Sequence, residues 1–305
     1  MLSHILFFAT LLASPTHAQE PIPPRMVNNV RMGRFSAPAN YARGRIAEAP
    51  DDLEARCLLG ITDALRGAPD EALANLELSE GSALYEQLGI RYHADTLRLL
   101  GAYHDAAQLR AEQMANSSEE AVLHHAMLNR IKDYRLGGDY PAALEAGEAA
   151  LALGSRPAFY AALADVYTDM GDFDTAWEHI QYADWLTVDT PPVVAIAEGR
   201  LLLAQDMAWA AVQVLRPALR RSVQNITFWA LFSEAFRLSG NTARAQQYMD
   251  LKNLRNRTEP ELIGVRARLL QGRGEHTAAR ALVWEQLALY PNNRTLQAIE
   301  AELVE

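Results

Sequence analysis

The groups in this 305-residue chain that could do chemistry are eight histidines, one cysteine and a scatter of paired acids, and none has the spacing a reaction needs. His124 and His125 are adjacent rather than four apart, so they cannot share one helical face as metal ligands. Ser82 follows Gly81, but no Gly-x-Ser-x-Gly elbow occurs anywhere, nor does His-Glu-x-x-His or a Gly-x-x-x-x-Gly-Lys phosphate cradle. Cys57 has no histidine partner in view and reads as a free buried thiol, and a single cysteine excludes an intramolecular disulfide. Asp51-Asp52 and Glu119-Glu120 fall where helices begin, and acids there suit the helix dipole. His93 occupies a core position and reads as an interior histidine. The five tryptophans read as core or rim packing rather than a sugar-stacking row. The expectation is a protein that is not an enzyme, with no cofactor and no metal.

Composition narrows the partners. The net charge of −10 argues against duplex nucleic acid, which calls for a basic face to displace counterions. Half of the residues are hydrophobic, enough to bury a core. At this length one compact core is near its upper size, so two domains or a repeat array is expected. There are 26 Arg against only Lys132 and Lys252, a codon-usage bias that points to a bacterium.

The elements that must position any binding residue follow from periodicity. Gly67, Gly101, Gly138, Gly171, Gly240 and Gly274, with Gln205 filling one gap, are spaced 34, 37, 33, 34, 35 and 34 residues apart. Five residues after each stands an alanine: Ala72, Ala106, Ala143, Ala176, Ala210, Ala245 and Ala279. Four residues before six of the seven stand Leu97, Tyr134, Tyr167, Leu201, Phe236 and Leu270, with Asp63 in the first unit as the exception. Glycine ends a first helix, where a left-handed backbone is needed. The small alanine admits a second helix, and the large residue fills the space beside it. Apolar spacings of three and four on both sides make each unit two amphipathic helices. Such a hairpin cannot bury its own apolar face, so units must stack. Two further departures stand out: Glu198 replaces a small residue, and Arg130 and Gly147 occupy apolar places.

These columns resemble the tetratricopeptide repeat (TPR). The clearest copy spans residues 157–190, with Tyr160, Leu163, Ala164, Tyr167, Gly171, Ala176 and Ala183 in the expected places, and the resemblance covers about residues 53–293. It implies an all-α, right-handed superhelical solenoid of about seven helix-turn-helix units whose first helices line a concave groove. On the glycine register, inward positions lie ten, six and three residues before each glycine. The partner-binding residues so implied are Arg91, Asp95, Arg98, Lys132, Arg135, Asp165, Arg237 and Arg268, beside a smaller, more apolar stretch at Ala195, Gly199 and Leu202. Arginines there would offer paired donors to carboxylates of an acidic segment or a free C-terminus. The alternative is a solvated face neutralised locally by its own acids. The Lys/Asn clamp of TPR modules that hold chaperone tails is not matched, since Cys57 and Ile61 stand at its places.

The start of the sequence reads as an export signal at 1–18. The apolar run 5–13 is too short to span a bilayer, and Thr16-His17-Ala18 presents small residues before Gln19. Residues 19–40, rich in proline, are expected to be extended, and 41–305 to form the repeat domain. The functional expectation is a periplasmic scaffold or adaptor holding other envelope proteins, in secretion, pilus or polysaccharide export, with no membrane span. A non-catalytic regulatory subunit holding a partner enzyme's acidic tail is the second reading, and a cytosolic assembly factor the third.

Overall fold

The computed structural model describes residues 20–251, 254 and 259–304, so the expected signal at 1–18 lies outside the described residues. Among the described residues there are seventeen α-helices and no strand. The helices are α1 (Pro24–Arg31), α2 (Ser36–Glu48), α3 (Leu53–Arg66), α4 (Pro69–Glu77), α5 (Ile90–Leu100) and α6 (Tyr103–Ala115). They continue as α7 (Glu120–Gly137), α8 (Tyr140–Leu153), α9 (Pro157–Met170), α10 (Phe173–Trp185), α11 (Pro192–Ala204) and α12 (Ala208–Leu215). The last are α13 (Ile226–Leu238), α14 (Thr242–Met249), α15 (Pro260–Gly272), α16 (His276–Leu289) and α17 (Arg294–Val304). From α3 to α16 they pair into the seven expected hairpins, each helix packed on its successor. The first helices α7, α9, α11, α13 and α15 lie side by side.

The local causes are those the columns imply. At the end of α5, Gly101 is left-handed (φ +87°), and the Ala102 N–H returns to the Leu97 carbonyl, closing the helix end. In the fifth unit Gln205 keeps an ordinary backbone and Asp206 takes the left-handed turn one residue later (φ 59°), a conformation a short polar side chain tolerates. Asp52, Asp139, Asp172, Asn225, Asn241 and Asn293 cap following helices, each accepting from a backbone N–H three residues on. Gly147 has a packing cause: a β-carbon there would run into the Leu163 side chain, which fills the apolar place from the neighbouring helix.

Of the segment 19–40, the described residues 20–40 are not extended. Pro24 starts α1 and α2 begins at Ser36, so most of it is helical. Proline forbids a helix interior but suits its first turn, where the missing N–H has no acceptor to lose. Ile22 and Val30 are buried against the α2–α3 core, which fixes α1 in place.

Six of the seven column alanines, Ala72, Ala106, Ala143, Ala176, Ala245 and Ala279, have no exposed surface; in the fifth unit Ala210 is only partly buried and Ala211 takes the enclosed place, because the turn falls one residue later at Asp206. Ala176→Leu should force bulk between α9 and α10 and lower stability by about 1–3 kcal/mol in urea denaturation. An unchanged midpoint would refute this packing register.

His93 is buried and its Nδ1 lies 2.8 Å from the Tyr85 hydroxyl. Burial pushes its pKa down to about 4, although Glu80 lies 3.9 Å away. The folded state therefore resists protonation that the unfolded chain accepts near 6.5. Stability from this residue is complete above that pH and is lost as pH falls from about 6.5 through 4. The advantage of the natural protein over His93→Gln should shrink by about 3 kcal/mol between pH 7 and pH 4. Equal pH slopes for the two proteins would contradict it.

Candidate functional site

The array curves until the segment after its seventh unit meets the second and third units. The Asn293 side-chain amide donates to the Leu99 carbonyl at 3.0 Å, and the Arg294 backbone N–H donates to the Tyr103 hydroxyl at 3.0 Å. The Arg294 guanidinium donates to the Gly137 carbonyl. Leu99 and Leu100 pack against the last core, which includes Ile263, Tyr290 and Leu296, and α17 touches α7. A cap helix is legible in the spacing of Leu296, Ile299 and Leu303, but its second contact, across the ring, is not. The concave face is thereby a lumen rather than an open groove.

On the wall of units two and three lies a buried ion network. The Arg98 guanidinium donates to Asp95 at 2.6 Å, to Asp133 at 3.0 Å and to Asn129 at 3.0 Å. Arg110, with no exposed surface, donates to Asp95 at 2.5 Å and to the Arg91 carbonyl at 3.2 Å, and its Nε lies 3.5 Å from Asp133. Burial alone would raise the Asp95 carboxyl, but Arg98 and Arg110 overrule it and hold it below its ordinary value. Two guanidinium and two carboxylate groups thus neutralise one another where the helices meet.

The lumen itself holds three neighbouring cavities. One of about 480 Å³ is lined by Arg135, Asp169, Arg200, Glu234, Glu261 and Arg268 among others. One of about 190 Å³ runs past Lys132, Arg135, Asp165 and Arg200. One of about 150 Å³ lies between Arg98, Lys132 and Glu261. Around them Arg135 pairs with Asp169 at 2.5 Å, Arg200 pairs with Asp165, and Arg237 pairs with Glu234 at 2.8 Å. Arg268 grips Glu302 at 2.8 and 2.9 Å and lies 3.6 Å from Glu234. Six of the eight residues expected to bind a partner, namely Asp95, Arg98, Arg135, Asp165, Arg237 and Arg268, are therefore engaged within the molecule. Arg91 is exposed, lies over the Tyr92 ring and has no ion pair among the described residues. Lys132 is half-buried and likewise unpaired, facing the two smaller cavities.

Opposite Lys132 stands Glu261 in the first turn of α15. Burial would raise its carboxyl, but the Lys132 ammonium, its own backbone N–H, and Arg200 and Arg98 hold it below the ordinary range. Lys132 is itself held low, by burial and then by Arg98, with Arg135 and Arg200 adding to this. Attraction to Glu261 does not offset three arginines. The lumen therefore takes up its own counter-charge from the seventh unit.

Arg110, Asp133 and Glu261 fall outside the inward columns, and Arg200 does so only on the Gln205 register: the turn at Asp206 places it six residues ahead, in an inward column. Asp133 stands five residues before its unit's turn, where other units carry Thr62, Thr96, Val166, Ala235 and Leu269. A full charge in that column is a legible signal. The groups considered for catalysis are dispersed. His124 packs on Phe159 with ring centroids 5.0 Å apart, His125 lies against Asn129 on its own helix, and burial raises the Cys57 thiol to about 12. Gly89 brings the backbone against the Cys57 sulfur, so that thiol is enclosed as well as protonated. Among the described residues no group of three or more His, Cys, Asp or Glu could hold a metal ion. No helix among them is long and apolar enough to cross a membrane.

Paired helices on a 34-residue register, with glycine-ended first helices around a shared inner wall, define a TPR-type α-solenoid. No family model and no curated protein matches the sequence. Among solved structures it is similar to a tetratricopeptide repeat protein from Parabacteroides merdae (11% identity, 83% of this chain and 99% of that one, TM-score 0.49). It is also similar to the APC/C hetero-tetramer Cut9-Hcn1 (13% identity, 88% of this chain and 52% of that one, TM-score 0.48). A third is the assembly chaperone of RpL4, Acl4 (15% identity, 73% and 97%, TM-score 0.47).

Proposed function

We propose that this protein is a protein-holding scaffold or adaptor that is exported to the periplasm and serves an envelope assembly. Its work is binding, done by the inner wall of the ring and its rim. The observation that carries this reading is that two cations expected on the inner wall, the exposed Arg91 and the half-buried Lys132, form no ion pair among the described residues. A cation with no carboxylate beside it, and a second whose counter-charge Glu261 stands across a cavity rather than in an ion pair, suit an acidic segment of a partner. A regulatory subunit that grips a partner enzyme's acidic tail would use the same two residues. Export rests on the apolar run 5–13 and the small residues before Gln19.

Affinity capture from envelope and soluble extracts tests the reading. The full-length protein should recover its partner from the envelope fraction. The double substitution Arg91→Glu with Lys132→Glu should weaken recovery on the order of tenfold. Recovery unchanged by both reversals would remove the acidic segment from the reading, and capture only from soluble extract would favour the regulatory subunit. N-terminal sequencing of the mature protein should begin at Gln19, and an intact Met1 would instead favour a cytosolic assembly factor.

A further inference from the structure

Lys132 and Glu261 come from the third and seventh units and face one another across the 150 Å³ cavity without forming an ion pair. Neither has another ion-pair partner among the described residues. Lys132 is fixed on α7, and α15 is fixed by its packing on α13 and by the Asn293 and Arg294 bonds to the opposite wall. Opposite charges free to approach would close on each other in so enclosed a place. Here both line one cavity and no ion pair joins them. The Thr227 and Thr295 hydroxyls and the apolar side chains of Leu136 and Ile226 complete the walls. Arg98 and Glu259, which also line the space, are already engaged elsewhere.

We propose that this cavity is a binding site for a small zwitterion of the α-amino acid type, its carboxylate on the Lys132 ammonium and its ammonium on the Glu261 carboxylate. Charge balance selects that class. A simple anion would satisfy Lys132 but face Glu261 across the same narrow space. A simple cation would satisfy Glu261 but sit against Lys132, with Arg98 and Arg200 near by. A neutral molecule with both charges on neighbouring groups answers both walls at once. The lowered carboxyl of Glu261 keeps that side ionised at neutral pH. Because the two walls belong to the third and seventh units, which come together where the array closes, such a ligand would also fasten the closed form. Lys132 is common to this site and to the acidic-segment reading, whereas Glu261 belongs to this site alone, so Glu261→Gln separates the two.

Thermal melting and calorimetry of the full-length protein with a panel of the twenty common amino acids provide the test. Acetate and ethylamine serve as probes of each half-site. At least one amino acid should raise the melting temperature saturably and bind with measurable heat, while acetate and ethylamine at equal concentration should not. Lys132→Met and Glu261→Gln should each weaken that binding tenfold or more, and Arg91→Ala at the rim should leave it unchanged. Should one variant fail to fold, the other still decides. The absence of any response across the panel would overturn the proposal, leaving water between the two charges. A response that survives in a folded Lys132 or Glu261 variant would overturn it equally.

Discussion

Gly101→Ala should destabilise the protein by about 2–4 kcal/mol, whereas Gly171→Ala, the same substitution at the same place in another unit, should cost only about 1 kcal/mol. The two glycines are locally alike: both end a first helix in the left-handed region, with φ +87° and +81°. Any residue with a β-carbon meets the same conformational penalty at either. The difference is tertiary. A β-carbon at Gly171 meets nothing within 4 Å, while one at Gly101 would collide with the Asn292 backbone carbonyl. That carbonyl belongs to the segment whose Asn293 and Arg294 bond to Leu99 and Tyr103, so relieving the clash means lifting the seventh unit off the second. Urea denaturation of the two variants measures the gap. Hydrogen exchange should show α17 losing protection in Gly101→Ala alone. Equal losses for both variants would mean that ring closure contributes nothing to stability.

Arg110→Ala should cost about 3–5 kcal/mol, a loss that neither its position on a second helix nor its charge would suggest. Arg110 is fully enclosed and shares Asp95 and Asp133 with Arg98. Removing it leaves two carboxylates in a dry interface against one guanidinium, and the uncompensated charge is the main penalty. Replacing both members with apolar residues of similar size, Arg110→Met with Asp133→Leu, should recover most of the loss, because the desolvation cost disappears with the charges. A double-mutant cycle by chemical denaturation measures this. If Arg110→Ala proves as mild as a surface substitution, below about 0.5 kcal/mol, the network is solvated in solution and the interface is looser than its geometry implies.

Much of the architecture is legible in the sequence because its causes are local. Gly67, Gly101, Gly138 and Gly171 mark helix ends by backbone conformation alone. Ala106, Ala143 and Ala176 mark close helix approach by size alone, and both effects repeat with the unit. Proline misleads at the start, since Pro24 begins a helix where a run of prolines suggests extended backbone. Gly147 resembles a defect in an apolar column, yet Leu163 occupies the space from the neighbouring helix. The inward column includes Arg98, Lys132 and Arg135, which line the cavities. It does not separate the engaged arginines from the unpaired lysine, because Asp133 and Asp169 approach from positions that a single-helix register does not rank.

The amino-acid order by itself determined that hairpins form and, to within a residue, where each first helix ends; that the first helix of each pair lines the inner wall was implied by the resemblance to the tetratricopeptide repeat. Hairpins and their ends are properties of stretches shorter than about 40 residues, repeated until they reinforce one another. Only the tertiary structure decided that the wall closes and that Glu261 stands opposite Lys132. Closure depends on the sum of small rotations between successive units, and it brings together residues such as Leu99 and Asn293, which lie 194 positions apart. No local pattern encodes that sum.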